Sequence, residues 1–307
     1  PQGSLLLLGH LSLAVPDLTS SEQYWVDSGI RAGRSCKGEQ GREVRANIGP
    51  SQCRFHVTSS ERAQAWPGEL LIWVEDIRQT TDHFNMLGQT LGTDIVNEYL
   101  EAKTGGEFML KLKDPFRQYF VYVSECPKGW AKKLRAIGQD ASVGNPQKLN
   151  PVGLADATVF VSSRKNMIAA AKFYSQYLLT TVPPAGPSQY SVQVHFAPGE
   201  GLHQTLTFKQ DPGASMYSSN LGSVCIYVKD HGTFVRIYVR CKSARILSDP
   251  NESREEVEHS SEFRIKGVVD PDSGAVVVPL EHVIRFAAHP ECPLKPDEAA
   301  TPGAKSP

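Results

Sequence analysis

The sequence lacks an excess of charge of either sign. Its 307 residues include 32 Lys and Arg against 33 Asp and Glu, which gives a formal net charge of -1 at pH 7. Proteins that bind nucleic acids or anionic membrane surfaces concentrate positive charge. We therefore expect no nucleic acid among the partners, which leaves a small-molecule ligand or a protein partner as the better expectation.

Long apolar runs are also missing. The longest run, at residues 5–8 with the strand that follows it, is interrupted by Gly9 and His10. A membrane-spanning helix needs about 20 apolar residues, so we expect a soluble chain without a membrane span. The chain begins at Pro1 with no initiator Met, which fits either removal of a targeting segment or a trimmed chain.

The cysteines are few and widely spaced. No two of them form a Cys-x-x-Cys pair, which argues against a zinc knuckle and against a dense disulfide framework. The spacing favours a reducing, intracellular location, including an organelle if a targeting segment was removed. We expect these side chains to be small buried apolar groups: Cys36, Cys53, Cys126, Cys225, Cys241 and Cys292.

What the sequence does contain is an internal repeat. The stretches "GHLSLAVPDL" at 9–18 and "GELLIWVEDI" at 68–77 align without a gap, and related copies begin with "ADATVFVSSR" at 155 and "GSVCIYVKDH" at 222. The alternation of apolar residues in each copy predicts a strand. The chain is therefore predicted to consist of four related units, which we number one to four in chain order.

A helix and further strands follow the first strand in each unit. "TSSEQYWVDSGI" in unit one and "SSRKNMIAAAKFYSQYLL" in unit three have the Ser residues that begin helices, with Ser20 or Ser21 and Ser162 or Ser163 as candidate caps. Short runs such as "SQCRFHV" and "QYFVYVSE" then predict antiparallel strands. The pattern predicts an α+β fold, although the helix of unit four is poorly marked.

Repeated βαβββ units that open with "HLSLAVPDL" resemble the vicinal oxygen chelate superfamily, which includes glyoxalase I, extradiol dioxygenases and bleomycin-resistance proteins. "NIGPSQCRFHV" resembles its G-x-x-Q-F-H signature with Cys53 and Arg54 as extra residues. "DPFRQYFVYV" resembles its D-P-x-G-N strand entry with Arg117 and Gln118 where Gly and Asn are usual. The resemblance covers most of the chain and implies α+β units paired into two cupped half-barrel domains.

The pairing implied by this resemblance sets the domain boundaries. We expect a first paired domain at residues 5–125, a linker at 128–151 that is rich in turn residues, and a second paired domain at 155–290. Residues 291–307 form a polar, Pro-containing tail that we expect to be disordered. The acidic stretch Ser248–Glu262 is predicted to be an exposed, mobile insertion.

The resemblance also implies a metal site. Members of the superfamily hold a divalent ion inside the cup with residues from first and last strands, which places the ligands of this chain at His10, His56 and Glu69. These donors suit Zn, Fe, Ni or Mn. The fourth position falls near Val121, which cannot bind a metal. The second pair, with Asp156 and Ser223 at its first-strand positions, is a poorer site because Lys209 and either Ile284 or Arg285 lie at its last-strand positions.

Two classes of function follow. The first is a glyoxalase-like protein with a degenerate metal site, a weakly held metal or none, and a role in binding or assembly. The alternative is a divalent-metal-dependent lyase, isomerase or dioxygenase that acts on a small substrate with adjacent oxygens. The missing fourth ligand favours the first class, and no catalytic residue can be assigned from the sequence.

Overall fold

Two seven-stranded mixed sheets form the framework of the molecule. The computed structural model describes residues 4–27, 29–34, 43–91, 96–101, 108–137, 151–186, 188–199, 202–214 and 221–294. The predicted α+β class, with repeated units paired into two cupped sheets, is confirmed. Among the described helices, none has the length and apolar character needed to cross a bilayer.

Unit one begins with the long strand that opens the sequence repeat. Its elements are β1 (Leu5–Val15), α1 (Leu18–Glu22), a wider helical turn at Gln23–Asp27, β2 (Gly33–Arg34), β3 (Glu43–Ile48) and β4 (Ser51–Val57). Asp17 caps α1, because its carboxylate accepts hydrogen bonds from the backbone N–H groups of Thr19 and Ser20. The predicted Ser caps of this helix are therefore wrong, whereas Ser163 does cap the corresponding helix of unit three.

The other units keep the order of a first strand, a helix and returning strands. Unit two consists of β5 (Gly68–Val74), α2 (Ile77–Leu91), β6 (Val96–Glu101), β7 (Phe108–Lys113) and β8 (Phe120–Glu125), and α3 (Trp130–Ile137) follows it. Unit three consists of β9 (Gly153–Val161), α4 (Arg164–Gln176), β10 (Ser191–Gly199) and β11 (Leu202–Gln210). Unit four consists of β12 (Ser223–Val228), α5 (His231–Ser243), α6 (Arg254–Ser260), β13 (Glu262–Ile265), β14 (Val268–Val269), β15 (Val276–Val278) and β16 (Glu281–Phe286).

Each sheet joins two units through their first strands. The first sheet has the order β13-β16-β12-β1-β4-β3-β2, and the second sheet has the order β10-β11-β9-β5-β8-β7-β6. The central pairs β1–β12 and β5–β9 are antiparallel. Each first strand runs parallel to the last strand of its own unit, so each sheet has two similar halves.

The structure corrects the predicted pairing of units. Unit one pairs with unit four and unit two pairs with unit three, instead of the consecutive pairs that the resemblance implies. Each predicted domain, 5–125 or 155–290, therefore contributes one unit to each sheet. The repeat determines the strands within a unit, but all four first strands have similar edges, so strand periodicity alone does not select the partner.

The predicted linker at 128–151 contains an ordered helix. Its first part forms α3, where Trp130 packs edge-on against Trp73 of β5 with ring centroids 5.3 Å apart. Leu134 of the same helix is buried. Residues 138–150 lie outside the described residues, so the rest of the linker prediction is untested.

The predicted insertion Ser248–Glu262 also contains a helix. Ser253 and Glu256 form a capping box at the start of α6, in which each side chain accepts from the other residue's backbone N–H. Val257 anchors the helix because its side chain is buried. The Ser-x-x-Glu spacing is the sequence signal that predicts this helix start. The high charge of the segment instead favoured the prediction of an exposed insertion without a helix. The mobility of the segment remains a prediction.

Both sheets cover one continuous apolar core, which includes the fully buried side chains of Trp25, Trp66 and Tyr174. Glycines stand where the first strands of paired units cross closely. A Cβ atom on Gly68 would lie 2.0 Å from the carbonyl oxygen of Thr158, and one on Gly222 would lie 2.3 Å from that of Ser12. The glycines that open two of the repeats are thus explained by the close approach of the strands.

We expect Gly68→Ala to lower the free energy of unfolding by about 1–3 kcal/mol, because the added methyl group forces the central strands of the second sheet apart. Denaturant unfolding measures the change. Gly186→Ala is the matched control, since the nearest atom to its added Cβ is 3.6 Å away. Equal losses in the two variants would contradict this account.

Candidate functional site

One face of the first sheet holds a cavity of about 370 Å³. Strand alternation supplies its lining, because every second side chain of β1 and β4 points to this face. The polar lining residues are His10, Ser12, Arg54, His56, Gln64, Ser223, Arg264, Glu281 and Arg285. They come from both units of the sheet, so the cavity exists only because units one and four are paired.

His10 lies deep in this cavity. It stands in the middle of β1, opposite Gln52 of β4 and Cys225 of β12. Only 5% of its surface is exposed. Burial, followed by the positive charges of Arg54 and Arg285, holds its pKa well below the ordinary value. His10 is therefore a neutral imidazole at physiological pH.

His56 lies near the outer end of the same cavity. It is opposite Ala14 of β1, and its half-exposed ring has Nε2 3.8 Å from Oε1 of Glu43. Burial lowers its pKa, while Glu43 acts in the opposite direction. The two predicted histidines therefore line one cavity at different depths.

Glu69 lies apart from the two histidines, on β5 of the second sheet. Its carboxylate accepts a hydrogen bond from Tyr122 Oη at 3.1 Å and lies 3.8 Å from Nζ of Lys209. Val121, the predicted fourth position, is fully buried in the core. Within the described ranges, no group of three or more His, Cys, Asp or Glu residues is placed to hold a metal ion. The structure therefore does not bring His10, His56 and Glu69 together.

Asp156, the other first-strand carboxylate, also lies in the second sheet. It accepts hydrogen bonds from the hydroxyl groups of Thr158 and Thr207, both at 2.6 Å, and from the hydroxyl of Thr205. Burial raises its pKa in spite of these bonds. A side chain held in this way has a structural role between β9 and β11.

Buried arginines dominate the first-sheet cavity. Arg54 and Arg285 are each 8% exposed, and each donates through Nη1 to Oε2 of Glu291, at 3.1 and 2.6 Å. Burial alone would raise the pKa of Glu291, but the two guanidinium groups outweigh it and lower that pKa to about 2. Glu291 falls in the predicted disordered tail, so that prediction is wrong for 291–294; residues from 295 onward lie outside the described residues.

A second set of ion pairs fixes the far side of the cavity. Arg285 also donates to Glu262, with Nε and Nη2 at 2.7 and 2.6 Å from Oε2. Arg264 donates to Glu281 at 2.9 Å, and its exposed head lies at the rim. The alternating polar residues at positions 52, 54 and 56 are a signal for this face, but no pattern along the chain indicates that Glu291 returns to it.

Several solved structures share this fold. Glyoxalase I from Zea mays is 14% identical, with a TM-score of 0.56, and the match covers 92% of this chain and 92% of that chain. A proposed dioxygenase from Bacillus subtilis is 9% identical, with a TM-score of 0.58, and the match covers 92% of this chain and 86% of that one. The resemblance to the vicinal oxygen chelate fold is thus confirmed, whereas activity does not follow from fold. Neither a family model nor a curated protein matches the sequence.

The residues of the first-sheet cavity do not fit a divalent cation. His10 offers one neutral nitrogen donor, but the guanidinium groups of Arg54 and Arg285 already depress its pKa through their positive charge. An arginine keeps its charge at every physiological pH and has no lone pair to donate to a metal. A cation beside His10 would meet the same repulsion, and Glu281, the one carboxylate among the described lining residues, is already paired with Arg264.

Proposed function

We propose that this chain is a ligand-binding protein with the glyoxalase fold and a degenerate metal site. One observation supports the proposal above all. Arg54 and Arg285 line the cup beside His10, where the resemblance places a metal with carboxylate ligands. Guanidinium groups in these positions favour binding without a metal and do not supply Lewis-acid chemistry.

The size and lining of the cavity support a small-molecule ligand. Its volume of about 370 Å³ falls within the roughly 300–1,000 Å³ of typical ligand pockets. His10 presents a neutral imidazole, and Ser12 and Ser223 present hydroxyl groups on neighbouring strands. These groups orient a bound molecule through hydrogen bonds, and none of them has the paired base that an activated nucleophile needs.

We expect the purified chain to retain far less than one equivalent of Zn, Fe, Ni or Mn after dialysis against a chelator, because the cup lacks a set of anionic ligands. Elemental analysis and calorimetric titration with each metal measure this. His10→Ala and His56→Ala are the two informative variants, because both side chains line the cavity, and Glu69→Ala in the other sheet is the control. Stoichiometric metal in the wild type that is lost in both variants would overturn the proposal and support the metal-dependent lyase, isomerase or dioxygenase instead.

A further inference from the structure

We infer that the first-sheet cavity binds a small organic anion through Arg54, Arg264 and Arg285. This inference rests on the proposed function and names the chemical class of its ligand. The recognised group is an oxyanion, either a carboxylate or a phosphate, since both match the planar fork of a guanidinium group.

The charge that faces the cavity is positive. Three guanidinium groups, those of Arg54, Arg264 and Arg285, line it, and Glu281 is the one carboxylate among its described lining residues. The carboxylates that neutralise the buried arginines are placed elsewhere: Glu291 and Glu262 contact them but do not line the cavity. Among the described charged residues that line the cavity, positive side chains therefore outnumber negative ones.

The two buried arginines are held in fixed orientations. Arg54 donates through Nε to Gln52 at 3.0 Å and through Nη1 to Glu291. Arg285 is held between Glu262 and Glu291. These bonds determine the orientation of both forks before a ligand arrives, so little side-chain entropy is lost on binding.

Donor capacity remains for a ligand. No residue in the described part of the chain accepts a hydrogen bond from Nη2 of Arg54, although that side chain is only 9% exposed. Ser12 is the neighbour of Arg54 in the β1–β4 register and lines the same cavity. Nη2 of Arg54 is not among the fully enclosed polar atoms that lack a partner, and Arg54 lines the cavity. This donor is therefore accessible and available to an anionic acceptor.

Calorimetry and thermal unfolding in an uncharged buffer at constant ionic strength test the inference with three probes: succinate, inorganic phosphate and the neutral diamide of succinate. We expect at least one of the two anions to bind and to raise the unfolding temperature, while the diamide does neither. Binding of succinate alone identifies carboxylate recognition, and binding of phosphate alone identifies phosphate recognition. Equal binding of the diamide, or no binding of either anion, overturns the inference.

Variants locate the binding in the cavity. Arg54→Lys keeps the charge but loses the fork, and should weaken anion binding roughly 10-fold or more. Arg264→Gln at the exposed rim should weaken anion binding roughly 2- to 5-fold. Ser12→Trp should fill the cavity and abolish binding. Arg254→Gln, an exposed arginine on α6, is the matched control and should leave the affinity unchanged.

If Arg54→Lys fails to fold, Arg264→Gln and Ser12→Trp still decide the question. Affinity that is unchanged in both would overturn the inference. The metal analysis described above tests the proposed function separately. A metal-free protein that binds the neutral diamide as tightly as succinate keeps its binding role and excludes only the anionic ligand.

Discussion

Gln204→Leu should destabilise the protein by about 3–5 kcal/mol, because it leaves several buried polar groups without partners. Gln204 is 1% exposed and lies between the two sheets. Its Oε1 accepts from the backbone N–H of Leu8 at 3.1 Å, and its Nε2 donates to Ser51 Oγ at 2.7 Å and to the Leu154 carbonyl at 3.1 Å.

These partners need a side chain because the strand ladders are irregular at this level. The register of β1 with β12 shifts between Leu8 and His10, and that of β5 with β9 shifts between Leu71 and Ile72, opposite Leu154. One glutamine therefore satisfies backbone groups of both sheets and joins them. Leucine has a similar size but neither donates nor accepts.

Chemical denaturation at constant pH measures this loss. Gln193→Leu on the adjacent strand β10 is the matched control, because Gln193 is exposed and surface substitutions usually change stability by less than about 0.5 kcal/mol. A loss below about 1 kcal/mol for Gln204→Leu would show that the sheets do not depend on this link.

Acidification from pH 6.5 to 4 should remove about 3 kcal/mol of stability through His282. Its ring is fully buried: Nδ1 donates to the Leu280 carbonyl at 2.8 Å, so neutral Nε2 accepts from Tyr174 Oη at 2.5 Å. Burial lowers its pKa to about 4, whereas an unfolded chain has a histidine pKa of about 6.5.

The sign follows from proton binding. Between these two pKa values the unfolded chain binds a proton that folded His282 does not, so stability falls as the pH falls through this window. The lowered pKa of His10 acts in the same direction. Glu291 adds its effect at lower pH. Its folded pKa is about 2, so the stability that its ionised carboxylate contributes is lost only on further acidification.

Unfolding free energies measured across this pH range test the assignment. His282→Gln keeps one donor and one acceptor but cannot take up the proton, so its stability should vary less between pH 6.5 and 4 than that of the wild type. His259→Gln, at an exposed position on α6, should keep the wild-type slope. A slope that is unchanged in His282→Gln would assign the acid sensitivity to other groups.

The candidate site shows which of its residues a local sequence pattern can place together. His10 and His56 belong to one unit, so the alternation of β1 and β4 was enough to place them on the same face. Glu69 belongs to the next unit, and its position relative to His10 depends on which units share a sheet. That choice separated it from the histidines and brought Arg285, more than 200 residues from Arg54 along the chain, to the same cavity.

Local pattern and tertiary packing therefore determined different features of this protein. The sequence by itself determined the four units, their strands and the α+β class, because apolar alternation and the repeat act over short distances. Only the tertiary structure decided that unit one pairs with unit four, that Gln204 joins the sheets, and that Glu291 returns to Arg54 and Arg285. The physical reason is that both features depend on how the whole chain packs. A local periodicity does not specify which of several similar strand edges will pair, or which distant residues will form ion pairs.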